Sequence, residues 1–297
     1  MKLGGIVTAM VTPIAEDKTV DYEEAGRIAK WLVDRGNDGL VVGGTTGEGP
    51  TLNVDERMGL FRAVKAAVGD RAAVIGNCGT NDTHTAAALA REVGEEGAVD
   101  AILSVVPYYN KPTQDGMLAH FGEVAKACDK PVFIYNIPGR TGVNMLPTTL
   151  LELAHRYKNI RGVKESSGDM AQFGDILRDR PKDFIFFCGD DHLFLPSLAM
   201  GADGVIGVAT HFCSREFQEM AKAVHEGRIS DAAKIHFDLI PLFKALFATS
   251  NPIPVKWAMR ELGFNVGEAR LPLGPMPEAL KAHLRPLLER YREPVAV

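Results

Sequence analysis

The sequence is poor in the features that announce most specialised proteins. Four cysteines, Cys78, Cys128, Cys188 and Cys213, lie far apart and never as C-x-x-C, which excludes a disulfide framework or a structural zinc site and leaves buried, reduced thiols. No apolar run approaches the ~18 residues that a membrane-spanning helix needs. The start, MKLGGIVTAMVTP, carries one lysine before a short apolar stretch broken by Thr and Pro. It reads as a first strand, not a signal peptide, so a cytoplasmic protein is expected. Lysine and arginine do not cluster, and 33 basic against 38 acidic side chains give a net charge of −5, so a nucleic-acid binder's electrostatic footprint is missing. With 46% hydrophobic and 24% charged residues, the chain has too much core material for a disordered protein. The eight histidines never form H-x-x-x-H, and G-x-S-x-G does not occur, so metal and serine-nucleophile chemistry lack their motifs. Small-molecule partners are expected, with no cofactor, nucleic acid or membrane.

What is present is a rhythm. Eight short apolar, β-branched runs end in Gly, Pro, Asn, Ser or Asp: GIVTAMVTP from Gly5, GLVVGG from Gly39, AAVIGNCG from Ala72, AILSVVPYY from Ala101, PVFIYNIP from Pro131, IRGVKESSG from Ile160, DFIFFCGDD from Asp183 and GVIGVAT from Gly204. The stretches between them have helical periodicity, as in the stripe Tyr22, Ala25, Ile28, Ala29, Leu32. Strands that alternate with helices are parallel, and eight such units predict a closed (β/α)8 TIM barrel over residues 1–225. An open doubly wound sheet is the rival, but the first strand ends in TAMVTP and not in a glycine-rich nucleotide loop. After about residue 212 only helical patterns remain, and residues 226–297 are expected to form a C-terminal helical appendage.

In a barrel of this kind the chemistry sits at the C-terminal ends of the strands. The sixth run places Lys164 there, on one face with Ile160 and Gly162, the glycine leaving space beside the amine. Such a lysine is either a snorkelling surface residue or a nucleophile able to form a Schiff base with a carbonyl. The fifth run ends in Tyr135, followed by Arg140 in a Pro/Gly loop. A phenol can relay protons and a guanidinium can grip a carboxylate with two bonds, although a core tyrosine and a solvated arginine are equally compatible. The second run ends in Gly43-Gly44-Thr45-Thr46-Gly47-Glu48-Gly49, where glycines admit an anion to the backbone and hydroxyls can donate to it, or where the glycines only make a tight turn. Of the adjacent Tyr108 and Tyr109 after the fourth run, one is expected to face the barrel mouth and the other a neighbouring surface. Asp190-Asp191-His192 after the seventh run is expected to cap the next helix.

Taken together, GGTTGEGPTL from Gly43, PYYNKPTQDGM from Pro107, YNIPGRTG from Tyr135, GVKESSGD from Gly162, GDD from Gly189, GVIGV from Gly204 and NPIPVKWA from Asn251 resemble the dihydrodipicolinate synthase / N-acetylneuraminate lyase family of class I aldolases over nearly the whole chain. The resemblance implies that Lys164 forms an imine with pyruvate. It implies that Tyr135 relays protons through Thr45 to Tyr109, which is lent by an adjoining subunit, and that Thr46 holds the pyruvate carboxylate. Arg140 would bind the carboxylate of aspartate 4-semialdehyde, with Gly189 and the backbone at Ile206 lining the pyruvate pocket. A homotetramer built as a dimer of dimers follows from the shared tyrosine. The paired threonines, double tyrosine and Arg-Thr-Gly loop look like the synthase branch. A sister aldolase acting on a sugar-derived 2-oxo acid such as N-acetylneuraminate or 2-oxo-3-deoxygluconate is the alternative, and a non-catalytic binding barrel is the reading from another class. Members that are inhibited by lysine carry His or Glu where this chain has Val54, Arg57 and Thr85, while Asn81 and Tyr108 are kept and Gly49-Pro50 replaces Ser-Ala. Weak or absent inhibition by lysine is therefore expected, because the ammonium would lose acceptors and meet a like charge.

Overall fold

The computed structural model describes residues 4–292. The elements run in the order β1 (Ile6–Ala9), α1 (Tyr22–Asp34), β2 (Gly39–Val42), α2 (Val54–Val68), β3 (Ala73–Asn77), α3 (Thr83–Glu96), β4 (Ala101–Val105), α4 (Gln114–Ala127), β5 (Val132–Asn136), the single turn α5 (Pro138–Thr141), α6 (Pro147–Arg156), β6 (Ile160–Glu165), α7 (Met170–Asp179), β7 (Ile185–Cys188), α8 (Phe194–Ala199), β8 (Gly204–Gly207) and α9 (Thr210–His225). Three helices follow: α10 (Ile229–Leu246), α11 (Ile253–Glu261) and α12 (Glu278–Leu288). The eight strands follow one another as neighbours in a closed barrel, which is the expected (β/α)8 architecture with its C-terminal helices. By contacts the chain divides into two compact units. One runs from the N-terminal segment to Ala72 and resumes at Gly207, and the other is Ala73–Ile206.

Local chemistry explains where the helices begin. Asp21, Asn53, Asp82, Thr113 and Asp169 each accept a backbone N–H of the first turn that follows, and Glu56 returns a bond to the Asn53 backbone as a full capping box. Of the stripe read from the sequence, Ala25, Ile28, Ala29 and Leu32 are the enclosed face of α1, whereas Tyr22, at the helix start, is exposed. Asp190 departs from expectation, because its side chain caps nothing.

Within the second unit, register decides which side chains meet. Phe133 pairs with Gly162 and Gly162 with Ile185; one step on, Tyr135 pairs with Lys164 and Lys164 with Phe187. Gly162 was expected to make room for the amine, but it makes room for a ring: a Cβ there would lie 2.5 Å from Phe133 Cε1. Phe133 and Phe187 consequently approach to 5.8 Å between ring centres. On the other face of β7, Phe186 packs edge-on against Phe173 of α7 at 5.1 Å, so one strand serves the barrel interior and the helical layer by alternation.

All four cysteines are free, with Cys128 half-buried and the others enclosed, and burial pushes the Cys188 thiol up to about 12. Among the described residues, no helix is long and apolar enough to cross a membrane and no group of three metal-binding side chains occurs. His211 has a structural role in the first unit. Its Nε2 accepts the Val11 backbone N–H at 3.2 Å and its Nδ1 lies 2.8 Å from the Val208 carbonyl, so the proton sits on Nδ1. Burial pushes its pKa down to about 4. His120, in the second unit, is likewise lowered to about 4 by burial, against a small opposing pull from Asp82. Cys213 donates to the Ala209 carbonyl at a kink in α9.

Both rings stay neutral in the folded chain down to about pH 4, whereas in the unfolded chain they take up protons below about 6.5. The unfolded state therefore binds more protons between those values, and stability falls as pH drops through that window. Urea midpoints at pH 7 and pH 5 should show this fall, and His120→Asn should make it shallower. An identical slope in the variant would refute the assignment.

Candidate active site

The loop after β2 belongs to the first unit, and its shape comes from close approaches. Gly47 has no room for a side chain, since a Cβ would lie 3.0 Å from the Met10 carbonyl oxygen and 3.1 Å from Thr12 Oγ1. Thr12 Oγ1 donates to the Gly47 carbonyl at 2.6 Å. Thr46 is buried, and Asn251 Nδ2 donates to its Oγ1 at 2.9 Å. With a lone pair of the hydroxyl occupied by that amide, the threonine proton is directed elsewhere and is available to an anion. Thr45 is half-buried and accepts the Glu48 N–H through its carbonyl at 3.1 Å.

Glu48 holds this loop to the C-terminal helices. It adopts a left-handed conformation, φ 56°, and is enclosed. Lys256 Nζ of α11 donates to its Oε1 at 2.6 Å, and the Arg270 backbone N–H donates to its Oε2 at 2.7 Å. Lys256 also reaches the Glu268 carbonyl at 3.3 Å. Burial pushes the Lys256 amine below the usual lysine range against the pull of Glu48. The Arg270 side chain forks onto Glu56 at 2.5 and 3.0 Å, which lowers the Glu56 pKa. Neither Asn251, Glu48 nor Lys256 emerged as functional from sequence. The available signal was a single lysine in the otherwise apolar turn Ile-Pro-Val-Lys-Trp-Ala-Met.

The second unit assembles the candidate groups at the ends of β5 to β7. Lys164 is 6% exposed and forms no ion pair among the described residues; its Nζ stands 4.2 Å from the centre of the Tyr135 ring. A cation over a ring face is attracted by about 0.5–2 kcal/mol, enough to orient a flexible side chain. The register Tyr135↔Lys164 produces the contact, because partners on adjacent parallel strands point the same way. Gly189, just past β7, is the glycine that clears space here: a Cβ on it would lie 3.1 Å from Lys164 Cε and would collide with Ser166 Oγ. The next residue, Asp190, has a pKa raised by burial and partly held down by the positive charges of His192 and Lys164.

Arg140 lies exposed in α5, five residues beyond Tyr135, on a turn closed by the Gly142 N–H to the Pro138 carbonyl at 2.9 Å. Tyr109 is 88% exposed with φ 74°, and its N–H donates to the Thr141 carbonyl at 3.3 Å. The β4 and β5 loops are thereby joined beside Arg140. Tyr108 is half-buried. Ile206 is enclosed in β8. The structure thus brings Lys164, Tyr135 and Gly189 together and ties the Tyr109 and Arg140 loops to each other.

A family model described as the dihydrodipicolinate synthetase family matches residues 2–291. The chain is 52% identical over 273 residues to 4-hydroxy-tetrahydrodipicolinate synthase of Moorella thermoacetica, covering 92% of this chain and 93% of that protein. It is 48% identical over 291 residues to the protein of the same name from Heliobacterium modesticaldum, covering 98% and 96% respectively. Among solved structures it is similar to DHDPS from Cyanidioschyzon merolae with lysine bound, with TM-score 0.94, 43% identity and coverage of 96% and 97%. Dihydrodipicolinate synthase from Aquifex aeolicus matches with TM-score 0.94 and 41% identity over 99% of this chain and all of that one, at 100%.

The Lys256–Glu48 pair is about as enclosed as an ion pair can be, with side chains 2% and 1% exposed. Lys256→Met strands a buried carboxylate and should lower stability by about 3–5 kcal/mol, whereas adding Glu48→Leu should recover much of the loss. Urea denaturation of the single and double variants measures both, and equal stability of all three would refute the clamp.

Proposed function

The chain belongs to the dihydrodipicolinate synthetase family, and from that premise we propose that it acts as a 4-hydroxy-tetrahydrodipicolinate synthase. It is a lyase of the lysine biosynthetic route that condenses pyruvate with L-aspartate 4-semialdehyde, in keeping with the relatives at 47–52% identity. The observation that carries the mechanism is the enclosed Lys164 amine against the Tyr135 ring.

The neutral amine of Lys164 adds to the C2 carbonyl of pyruvate, and water leaves to give an imine. The imine draws electrons from the adjacent methyl group, a proton departs, and an enamine remains. Tyr135 serves this stage as the proton carrier, its phenol held by the β5 strand beside the amine. The enamine carbon attacks the aldehyde of the second substrate, whose oxygen takes up a proton. The substrate's own amine then adds to the imine carbon, closes the ring and expels Lys164. Gly189 keeps the space beside Lys164 Cε open for the three-carbon substrate. Arg140 supplies a two-pronged grip for the carboxylate of the semialdehyde. Thr46 keeps the task of donating to the pyruvate carboxylate, Thr45 that of linking the proton chain to Tyr109, and Ile206 that of lining the pyruvate pocket through its backbone. We assign a cytoplasmic homotetramer, a dimer of dimers, in which Tyr109 serves the adjoining subunit. Its 88% exposure on its own chain supports that reading.

Borohydride treatment with pyruvate should attach one pyruvate-derived mass to Lys164, and Lys164→Ala should carry none. Tyr135→Phe should lower kcat about 10²- to 10⁴-fold. Arg140→Ala should raise KM for the semialdehyde roughly tenfold or more while the pyruvate adduct still forms. Activity on N-acetylneuraminate without activity on the semialdehyde would overturn the substrate assignment. Lysine should inhibit weakly. Arg57 is buried with its guanidinium donating to the Gly49 and Leu52 carbonyls at 2.5 and 3.4 Å, and the Thr85 hydroxyl is committed to Asp82 at 2.5 Å. Half-inhibition below the millimolar range would refute this.

A further inference from the structure

Beside the reacting pair lies a closed ring of polar side chains that the mechanism does not use. Asn136 follows Tyr135 and Glu165 follows Lys164, and the two are register partners on β5 and β6. Strand alternation turns both away from the reacting face. Asn136 Nδ2 shares one N–H between the two Glu165 carboxylate oxygens, each at 3.1 Å, and gives the other to Asn144 Oδ1 at 2.8 Å. Asn144 Nδ2 donates to Gln172 Oε1 at 2.8 Å, and Gln172 Nε2 returns to Glu165 Oε2 at 3.3 Å. The Ser167 backbone N–H donates to Glu165 Oε1 at 2.8 Å, and the Met145 N–H to Asn136 Oδ1 at 3.1 Å. Glu165 is wholly enclosed, and every partner is a neutral donor.

The composition of the ring explains why the group is an acid. Three separate donors converge on its two oxygens, so an acceptor-only group satisfies them, while a glutamine would aim an NH2 at another NH or NH2. Burial pushes the Glu165 pKa up to about 7 against the combined pull of these donors. A carboxyl buried without a cation is an arrangement that raw stability does not favour.

We infer that Asn136 and Glu165 are positioning residues for the reaction: by locking β5 to β6 one residue past Tyr135 and Lys164, their pairing sets the separation between the phenol ring and the amine. The inference rests on the imine-forming role of Lys164 proposed above. The strand ladder and the Ser166 N–H to the Asn136 carbonyl at 2.8 Å also join β5 to β6 here, but these bonds join backbones and do not hold side-chain direction.

Glu165→Gln tests this. It should slow formation of the borohydride-trapped pyruvate adduct and lower kcat about ten- to hundredfold, the usual cost of a displacement near 1 Å, with KM for pyruvate within about twofold. The swap Asn136→Asp with Glu165→Gln restores one donor–acceptor match and should recover part of the rate, a rescue that a purely structural role would not produce. Gln172→Met removes one of the three donors to Glu165, together with the acceptor for Asn144, and should give the same split at roughly threefold if Glu165→Gln does not fold. Circular dichroism controls for folding. Adduct formation in Glu165→Gln or Gln172→Met at the unmodified rate overturns the inference alone. Failure of the unmodified protein to form any adduct overturns the reaction itself, and this inference with it.

Discussion

Strand alternation at the end of β6 is the constraint on which the rest depends. Successive residues of a strand face opposite sides, so Lys164 and Glu165 carry their charges into two different environments only one residue apart. The register with β5 extends this to a second strand, since Tyr135 accompanies Lys164 and Asn136 accompanies Glu165. A slip of one residue would exchange the faces and put the carboxylate where the amine must be. Two glycines hold the arrangement. Gly162 admits the Phe133 ring below the amine, and Gly189 clears the space beside it. A side chain at Gly162 would run into the Ile185 carbonyl and the Phe133 ring, and one at Gly189 would run into the Ser166 hydroxyl and crowd Lys164.

Three buried charges are handled in three ways, and the differences follow their work. Lys256 is paired directly with Glu48, the arrangement expected where a charge only has to hold two segments together. Glu165 is surrounded by neutral donors, which orient it without offering it a proton partner. Lys164 has the face of a ring and a carboxyl at a remove. A firm ion pair would occupy the very nitrogen that, in the proposed reaction, attacks carbon. A ring face orients at a cost of only about 1 kcal/mol to leave, so the amine can exchange its contact for a substrate. The weakest of the three attachments therefore falls on the group proposed to react.

The barrel was legible in the sequence because each strand is short, apolar and punctuated by Gly, Pro or Asn, and because caps such as Asn53 with Glu56 mark helix starts locally. Lys164 was legible as a charge where periodicity demands an interior residue. The supports of the site were not, because their meaning lies in distant pairing. Thr46 and Asn251 are 205 positions apart, and Glu48 and Lys256 are 208. Asn136 and Glu165 are only 29 apart, but their alternation from the reacting face removed them from a search directed at strand interiors. The mistaken role of Gly162 has the same origin. Alternation predicted its face correctly, but only register could tell whether the neighbour filling the gap was an amine or a phenyl ring.

Tyr109 shows how the frame extends to a residue that its own chain leaves bare. A tyrosine at φ 74° with 88% of its surface exposed gains nothing from burial, and the left-handed conformation of a non-glycine residue costs of order 1–3 kcal/mol. The loop keeps this geometry because the neighbouring bonds over-determine it. Its N–H is held by the Thr141 carbonyl, Asn110 Nδ2 donates to the Asn81 carbonyl at 2.7 Å, and Lys111 is also left-handed at φ 48°. The bond to Thr141 matters most, because Thr141 follows Arg140 and closes the turn that carries it. A displacement of the exposed ring is transmitted to the guanidinium's turn through one backbone bond, and β5 then connects that turn to Tyr135. The exposed Tyr109 ring is therefore joined, through a few residues of one loop, to the turn that carries Arg140 and to the strand end that carries Tyr135.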